Sequence, residues 1–512
     1  MTRNFQVVDL FAGPGGLAEG FSAFQDEGGD RPFHVTVSVE KEKAAHRTLQ
    51  LRAFLRQFED FPDEYYEHLN AGTPLPDWAS LYEGEWDTAV QEALHLELGS
   101  DEAAEVIDKK LDHIVGLGVE TVVIGGPPCQ AYSLVGRARN KGIDGYVPED
   151  DARHYLYREY IRILQRLKPA GFVMENVKGM LSSRLAGERI FDQVQIDLKA
   201  AAGEPDSYEL FYLSPSELGG ISLNRAKKAN NFLLQSESFG VPQTRHRVII
   251  VGIRRDLAVA SGAVVVGGGL QKSTVKDVIW GLPKLRSRLT RGDGPAEWQN
   301  AVHRQIQIAI NAVEANPTSP AELLAALRTG QAAFAARNDI DPTASSQAPL
   351  PMSSCPLELR DWLEDERLKV TLNHSSRAHM EADLSRYYFC AVFRDSEGRV
   401  AKAPDFPTGL APDHVNWRSG AFKDRFRAQG WDQPATTITS HIHKDGHYFI
   451  HPDAQQCRSF TVREAARIQT FPDNYLFLGN TTEQYIQVGN AVPPFLARQI
   501  AATLYEALSS PR

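Results

Sequence analysis

Cysteine is scarce in this chain. There are four in 512 residues, Cys129, Cys355, Cys390 and Cys457, and no two are spaced as CxxC. That excludes a disulfide scaffold and a cysteine-built zinc site, and it implies a reducing compartment. Long apolar runs are missing too, since none approaches the ~20 residues of a membrane-spanning helix. The opening MTRNFQVVDL enters a strand pattern without a signal peptide, so the cytoplasm is the expected location. No internal repeat appears. Positive charge is not in excess either: the formal net charge is -10. A uniformly basic nucleic-acid binder is therefore excluded, but a local basic groove is not. Arginine and lysine do cluster, in GRARNK (136–141), RAKK (225–228), TRHR (244–247) and LRSRLTR (285–291).

The length allows two or three domains. Residues 5–12, FQVVDLFA, read as a buried strand running into the turn GPGG and the helix LAEGFSAF. A second strand, HVTVSVE, ends in Glu40. This βαβ start is followed by a long, mostly helical stretch over about 42–117, then the strand TVVIGG, a helix YLYREYIRILQRL and the strand GFVMENV. NFLLQSESFGVPQTRHRVIIVGI adds two strand patterns around a turn at 240–242. Alternation up to about residue 255 predicts an α/β fold with a doubly wound parallel sheet. Beyond 285 the character changes. Residues 295–335 are alanine-rich and helical, 341–356 read as a linker, and 357–450 carry aromatics, arginine and histidine in short strand-like pieces. The strongly amphipathic FLARQIAATLYEAL closes the chain.

Several residues could carry chemistry. Gly13, Gly15 and Ala18 fit a GxGxxA turn, which suits packing alone or a nicotinamide, flavin or S-adenosylmethionine cofactor. Glu40 stands at a strand end, where a carboxylate takes ribose hydroxyls. Cys129, in GGPPCQAYS, follows two prolines whose fixed φ angles make a rigid pedestal. A buried cysteine is usually a small hydrophobe, but an accessible one near cations is a competent nucleophile. Glu175, in FVMENVKGM, is either a loop or capping carboxylate or a second group in the same crevice. Arg245 and Arg247 alternate along a strand start, as a solvated or phosphate-facing pair. HIHKDGHYFIH has four histidines in eleven residues but no completing carboxylate or cysteine cluster. A polar loop near DNA phosphates is favoured there over a metal site.

Taken in order, DLFAGPGG, GGPPCQAYS, MENVKG, QTRHR, TVREAARIQTFPDNY and QVGNAVPP make the chain resemble the DNA (cytosine-5)-methyltransferases. The resemblance covers about residues 5–41, 119–285 and 430–508. It implies a Rossmann-like S-adenosylmethionine-dependent methyltransferase sheet with a smaller inserted target-recognition domain. The boundaries it suggests are 1–285 for catalysis, 286–460 for recognition and 461–512 for the return to the catalytic domain. It implies that Cys129 adds to carbon 6 of a flipped-out cytosine, and that Glu175 holds the exocyclic amine and nitrogen 3, sharing a proton near neutral pH. Arg245 and Arg247 would steady the base and that carboxylate, and the loop after Cys129 would close over the nucleotide. By the same resemblance Phe11, Gly13, Pro14, Gly15, Gly16, Glu40, Pro128, Leu156, Asn490 and Val492 would line the cofactor cavity. Double-stranded DNA is the implied partner, a restriction endonuclease an implied companion, and a monomer the implied state.

The chain departs from the family in two places. About 80 residues separate Glu40 from PPCQ, longer than the family's usual spacing, so the acidic residue for the adenine amine is not fixed; Glu97 and Asp101 are candidates. The 295–350 segment reads as an additional insertion. DNA readers are expected within 357–440, with Arg377, Arg386, Arg418 and Arg425 as candidates. A flavin or nicotinamide oxidoreductase would leave PPCQ, ENV and QTRHR without jobs. A transfer-RNA methylase would need less recognition surface. A DNA-binding regulator would need no nucleophile.

Overall fold

The computed structural model describes residues 3–128, 153–185, 188–217, 220–258, 264–266, 271–337, 340–345, 347–413, 417 and 425–509. Two compact units emerge. The first comprises Met1–Tyr65, Pro74–Lys272 and Ala491–Arg512; the second comprises Tyr66–Thr73 and Ser273–Asn490. The division falls at 272 and 490, where the sequence reading set 285 and 460.

Among the described residues the main sheet of the first unit has ten strands: β1 (Phe5–Leu10), β2 (Phe33–Glu40), β3 (Ala93–His95), β4 (Thr121–Gly125), β5 (Gly171–Val177), β6 (Tyr208–Pro215), β7 (Ile221–Arg225), β8 (Leu233–Gln235), β9 (His246–Arg254) and β10 (Val264–Val266). They form one sheet in the order β10-β7-β6-β9-β5-β4-β1-β2-β3, with β8 paired to β9. Strands β1 to β5 run parallel. The other half is antiparallel, which corrects the expectation of a parallel sheet throughout. The reason is connection length: only residues 216–220 link β6 to β7, too few for the helical crossover that parallel pairing requires.

Neighbouring residues along the central strands point to opposite faces, as period-2 geometry demands. Val7, Val122 and Val251 enter one core with Leu496, Ile500 and Leu504 of the C-terminal helix Pro494–Ser509. Val8, Val123 and Phe172 enter the other with Ile107, Leu111 and Leu164. Both faces are thus apolar, which is why the central strands read as unbroken hydrophobic runs. Among the described residues this unit also carries α1 (Gly16–Ser22), α2 (Lys43–Leu55), the start of α3 (Asp63–Ala71, most of which belongs to the second unit), α4 (Trp78–Leu81), α5 (Glu83–Glu92), α6 (Asp101–Gly116), α7 (Arg153–Leu167) and α8 (Ile190–Lys199). The stretch 42–117 is mostly helical but also contributes β3, which sequence periodicity misses because three residues are too few to show a period. An aromatic cluster of Phe54, Phe58, Trp78, Tyr82 and Trp86 gives this segment its own packing.

In the second unit, α9 (Pro295–Glu314), α10 (Ala321–Ala335) and α11 (Glu381–Glu397) pack together. Trp298, Ile306, Leu327, Phe334, Tyr388 and Phe389 make a core of the unit. The alanine-rich segment is therefore central to this unit, and a 17-residue helix lies where short strand-like pieces were expected. Helix α12 (Val462–Ile468) starts at a capping box: Thr461 and Glu464 exchange hydrogen bonds of 2.7 and 3.2 Å. Arg458 grips Glu464 through both guanidinium nitrogens at 2.7 Å, with both side chains buried. Helix α13 (Thr481–Asn490) ends the unit.

Candidate active site

In a sheet whose order reverses between β4 and β1, ligands gather at the carboxyl ends of the parallel strands. Four of the marked segments arrive there. Strand β4 ends in Gly125 beside Met174 of β5, so the next residue, Gly126, comes level with Glu175. A Cβ built on Gly126 would lie 3.0 Å from Glu175 Oε2 and 3.4 Å from its carbonyl oxygen. Glycine is what lets the carboxylate sit against this peptide. One residue on, Asn176 Nδ2 donates to the Pro127 carbonyl oxygen at 3.1 Å. Its Oδ1 accepts from Val177 N at 2.8 Å. The double proline is therefore both stiff in itself and tied to the end of β5. Pro128 closes this described stretch; Cys129 and the loop AYSLVGRARNKG lie outside the described residues.

Strand β9 brings the arginines to the same place, because its Ile249 pairs with Glu175 across the ladder. Arg247 Nε meets Glu175 Oε1 at 3.0 Å, with side-chain exposures of 18% and 15%. Arg247 Nη1 also donates to the His246 carbonyl at 2.9 Å. Arg245 is buried. Burial pulls its guanidinium down to about 9, Arg247 pushes the same way, and Glu175 pulls back up. It stays cationic at neutral pH. The result is a carboxylate with one oxygen held by an arginine, its other oxygen facing the peptide before Cys129, and a second cation close by.

The glycine turn lies at the end of β1. Phe11 (φ 59°), Gly13 (φ 58°) and Gly15 (φ 98°) are all left-handed. Two of the three are glycine, and Phe11 bears a strain of order 1–3 kcal/mol that its surroundings must enforce. Enforcement comes from Glu40: its Oε2 accepts from Gly13 N at 2.8 Å and its Oε1 from Glu42 N at 2.7 Å. Burial raises the Glu40 carboxyl above its usual range, and these two amides oppose that shift. The carboxylate, with about four acceptor sites in all, keeps capacity for a ligand hydroxyl beside the backbone amides that bond it. At Gly16 no Cβ would fit, because the Val492 carbonyl is too close. A turn of this shape, beside an acceptor with capacity to spare, suits a ribose-bearing cofactor.

Leu156 is half-buried and reaches the turn at Gly99; a Cβ there would be 3.3 Å from its Cδ2. Asn490 is exposed and belongs to the second unit. Glu97 follows β3 and pairs at 3.3 Å with Lys41, the residue after Glu40. Asp101 instead opens α6, beyond the Ser100 cap.

In the second unit the histidines of HIHKDGHYFIH are divided among separate partners. His443 Nδ1 bonds the Ser440 carbonyl at 2.5 Å, His447 Nδ1 the Tyr387 hydroxyl at 2.8 Å, and His451 lies 3.4 Å from Glu464. Among the described residues no group of three or more histidine, cysteine or carboxylate side chains could hold a metal. Close by runs a basic rim. Arg288–Leu289 pairs with Ala378–His379, and Arg377 Nη1 donates to the Lys444 carbonyl at 3.3 Å. Arg288, Arg291 and Lys444 are exposed. Arg425 pairs with Asp445 at 2.7 Å. Arg386, a candidate reader from sequence, is committed inward: it bonds Asp383 at 2.8 Å and the Leu410 carbonyl at 2.9 Å. Arg418 lies outside the described residues.

The family model for C-5 cytosine-specific DNA methylases matches residues 69–506. The chain belongs to this family. It is a DNA (cytosine-5)-methyltransferase by descent, and its relatives agree. The type II methyltransferase M.Bpa9945I of Bacillus paralicheniformis is 31% identical over 98% of this chain and 99% of its own. The DNA (cytosine-5-)-methyltransferase M.ApeKI of Aeropyrum pernix is 25% identical over 78% of this chain and 84% of its own. Among solved structures, a prophage-encoded DNA modification methyltransferase of E. coli aligns over 99% of this chain and 100% of its own, with TM-score 0.51 and 18% identity, which speaks to the fold. Among the described residues no helix is long and apolar enough to cross a membrane.

Proposed function

We propose that this methyltransferase moves a methyl group from S-adenosylmethionine to carbon 5 of cytosine at one short sequence in double-stranded DNA, by covalent addition of Cys129 to a flipped-out base. The observation that carries this reading is the meeting of Glu175, Arg247 and Arg245 against Gly126–Pro127–Pro128, the peptide that leads directly into Cys129.

Carbon 5 of cytosine is a weak nucleophile. Addition of the Cys129 thiolate to carbon 6 turns the ring into an enamine with electron density on carbon 5. Glu175 accepts from the exocyclic amine and shares its proton with nitrogen 3, so that the ring is protonated as sulfur adds to carbon 6. Arg247 fixes the rotation of that carboxylate through Oε1, and Arg245 supplies a cation for the base's carbonyl. The bound cofactor supplies an electrophilic methyl carried on a sulfonium. Once carbon 5 carries the methyl group, a water takes its remaining proton, the sulfur–carbon 6 bond breaks to free Cys129 as thiolate, and nitrogen 3 returns its proton to Glu175. A stacked base cannot be reached this way, so the base is extruded at a cost of a few kcal/mol. Phe11, Gly13–Gly16, Glu40, Pro128, Leu156 and Val492 would hold the cofactor, and Glu97, beside Lys41, is the better-placed acid for its adenine amine. Relatives named as type II methyltransferases support a restriction–modification role with a companion endonuclease.

The test is expression in a methylation-free bacterial host followed by bisulfite sequencing of its genome. The wild type should protect cytosines that share one short sequence, and Cys129→Ser should protect none. A fully converted genome with soluble wild-type protein would sink the reading.

A further inference from the structure

Two arginines from the helix after β2, Arg52 buried and Arg56 half-buried, flank the glycine turn. Arg52 and Arg56 lie four residues apart, at the last turn and C-cap of α2, and so share a face. Arg52 Nε meets Glu19 Oε2 at 3.2 Å, and its Nη2 bonds the other oxygen. The side chains are only 2% and 9% exposed, and the guanidinium lies 5.0 Å from the Phe61 ring. Glu19 lies in the first turn of α1, three residues after Gly16. Arg56 is held by Glu92 of α5, which also accepts from Ser38 Oγ at 3.4 Å. Ser38 pairs across the ladder with Asp9. Asp9 is fully buried, and burial pushes its carboxyl well above the usual carboxylate range, with Arg56 and the Ala18 amide opposing and Glu92 and Glu40 adding to the shift. Arg56 is the strongest favourable charge acting on it. Asp9 lies two residues before Phe11.

We propose that Arg52 and Arg56 are positioning residues for the cofactor: a two-armed clasp from the inserted helical segment that fixes both flanks of the Phe11–Gly16 turn. This rests on the cofactor reading above. The clasp acts through Glu19 on the exit from the turn and through Asp9 on its entry. Glu19, left in a nearly closed site without Arg52, must take up a proton or move toward water, and Asp9, already pushed toward its neutral form, loses the cation that most opposes this. Either change shifts the backbone next to Phe11 and Gly16. This also gives the long segment between Glu40 and the PPCQ strand a task, since Arg52, Arg56 and Glu92 all come from it.

The experiment compares Arg52→Met, Arg56→Met and Glu92→Gln with the wild type. Binding of S-adenosylmethionine and of its product S-adenosylhomocysteine is measured by calorimetry, and KM for cofactor and for DNA are measured beside kcat. Each variant should weaken cofactor Kd and raise cofactor KM about tenfold, with kcat and the KM for DNA within twofold. Arg56→Lys, which keeps the charge, should recover most of the affinity. A purely structural role would lower the melting temperature while leaving the Kd of the folded fraction unchanged, and that result overturns the proposal. Hydrogen exchange on the unmodified protein keeps it testable if the methionine variants do not fold. Amides 52–56 should slow together with 12–20 when cofactor binds, and no change at 52–56 overturns it. If the wild type binds neither compound, the cofactor reading itself fails, a distinct outcome.

Discussion

Gly126→Ala adds one methyl group, and its effect can be worked from distances. The new Cβ would stand 3.0 Å from Glu175 Oε2 and 3.4 Å from the Glu175 carbonyl oxygen. The carbonyl contact is tolerable; the carboxylate must yield by a few tenths of an ångström. It is not free to do so cheaply, because its Oε1 is held by Arg247 Nε at 3.0 Å. Rotation away from the methyl group therefore weakens a charge-assisted hydrogen bond worth about 1.5–3 kcal/mol when lost outright. A misplacement of 1 Å in a catalytic group can cost about 100-fold in rate. A shift about a third as large, plus partial loss of the arginine bond, gives an expected drop in kcat of about 10- to 100-fold, or roughly 1.4–2.7 kcal/mol of barrier. Cofactor Kd should stay within twofold, because the substitution touches β4 and β5 and not the turn after β1. The control is Gly84→Ala, exposed near the start of α5 with nothing within 4 Å of the added carbon; it should keep full kcat. Single-turnover methylation of a cognate duplex at saturating cofactor reads the result. A kcat within twofold of wild type would refute the claim that this contact positions Glu175.

Three further outcomes are expected. Glu175→Gln should lower kcat by about 10²- to 10³-fold, the scale of removing one preorganised transition-state partner, while calorimetric cofactor affinity changes less than threefold. In the second unit burial pulls the His374 imidazole down to about 4, with Glu464 opposing, and pulls His379 well below its ordinary range. A folded-state value below the unfolded ~6.5 gives stability that is complete above that pH and is lost as pH falls toward the folded value. His374 alone should then cost about 2 kcal/mol between pH 7 and pH 5. Thermal unfolding at the two pH values measures it; equal melting temperatures would refute it, and His374→Gln should reduce the slope. Changing Arg288, Arg291 and Lys444 together to Gln should flatten the plot of log affinity for DNA against log salt by about 2–3, at ~0.9 per phosphate contact. An unchanged slope would remove the rim from the DNA-binding surface.

The chemistry-bearing stretches were legible because their signals are local. A glycine turn after an apolar strand, a carboxylate at the end of another, and a cysteine on a double proline each need only a few adjacent residues. The alternation of β1, α1 and β2 was legible for the same reason. What joined them was not. The tie from Asn176 to Pro127 spans 49 residues, and the clasp from Arg52 to Glu19 spans 33. No propensity or period encodes a partner that far away. Strand β3 is too short to announce itself, and the antiparallel half of the sheet follows from short connections whose consequence appears only when the strands pair. Arg386 and Arg425 look alike in the sequence. One is turned inward onto Asp383 and the other faces Asp445 near the rim, and packing decided which. By itself, then, the sequence determined the family and marked candidate reacting groups at strand ends, because backbone chemistry at those points is short-range. Tertiary structure alone decided which carboxylate is held by which arginine, because burial and counter-charge belong to the assembled molecule.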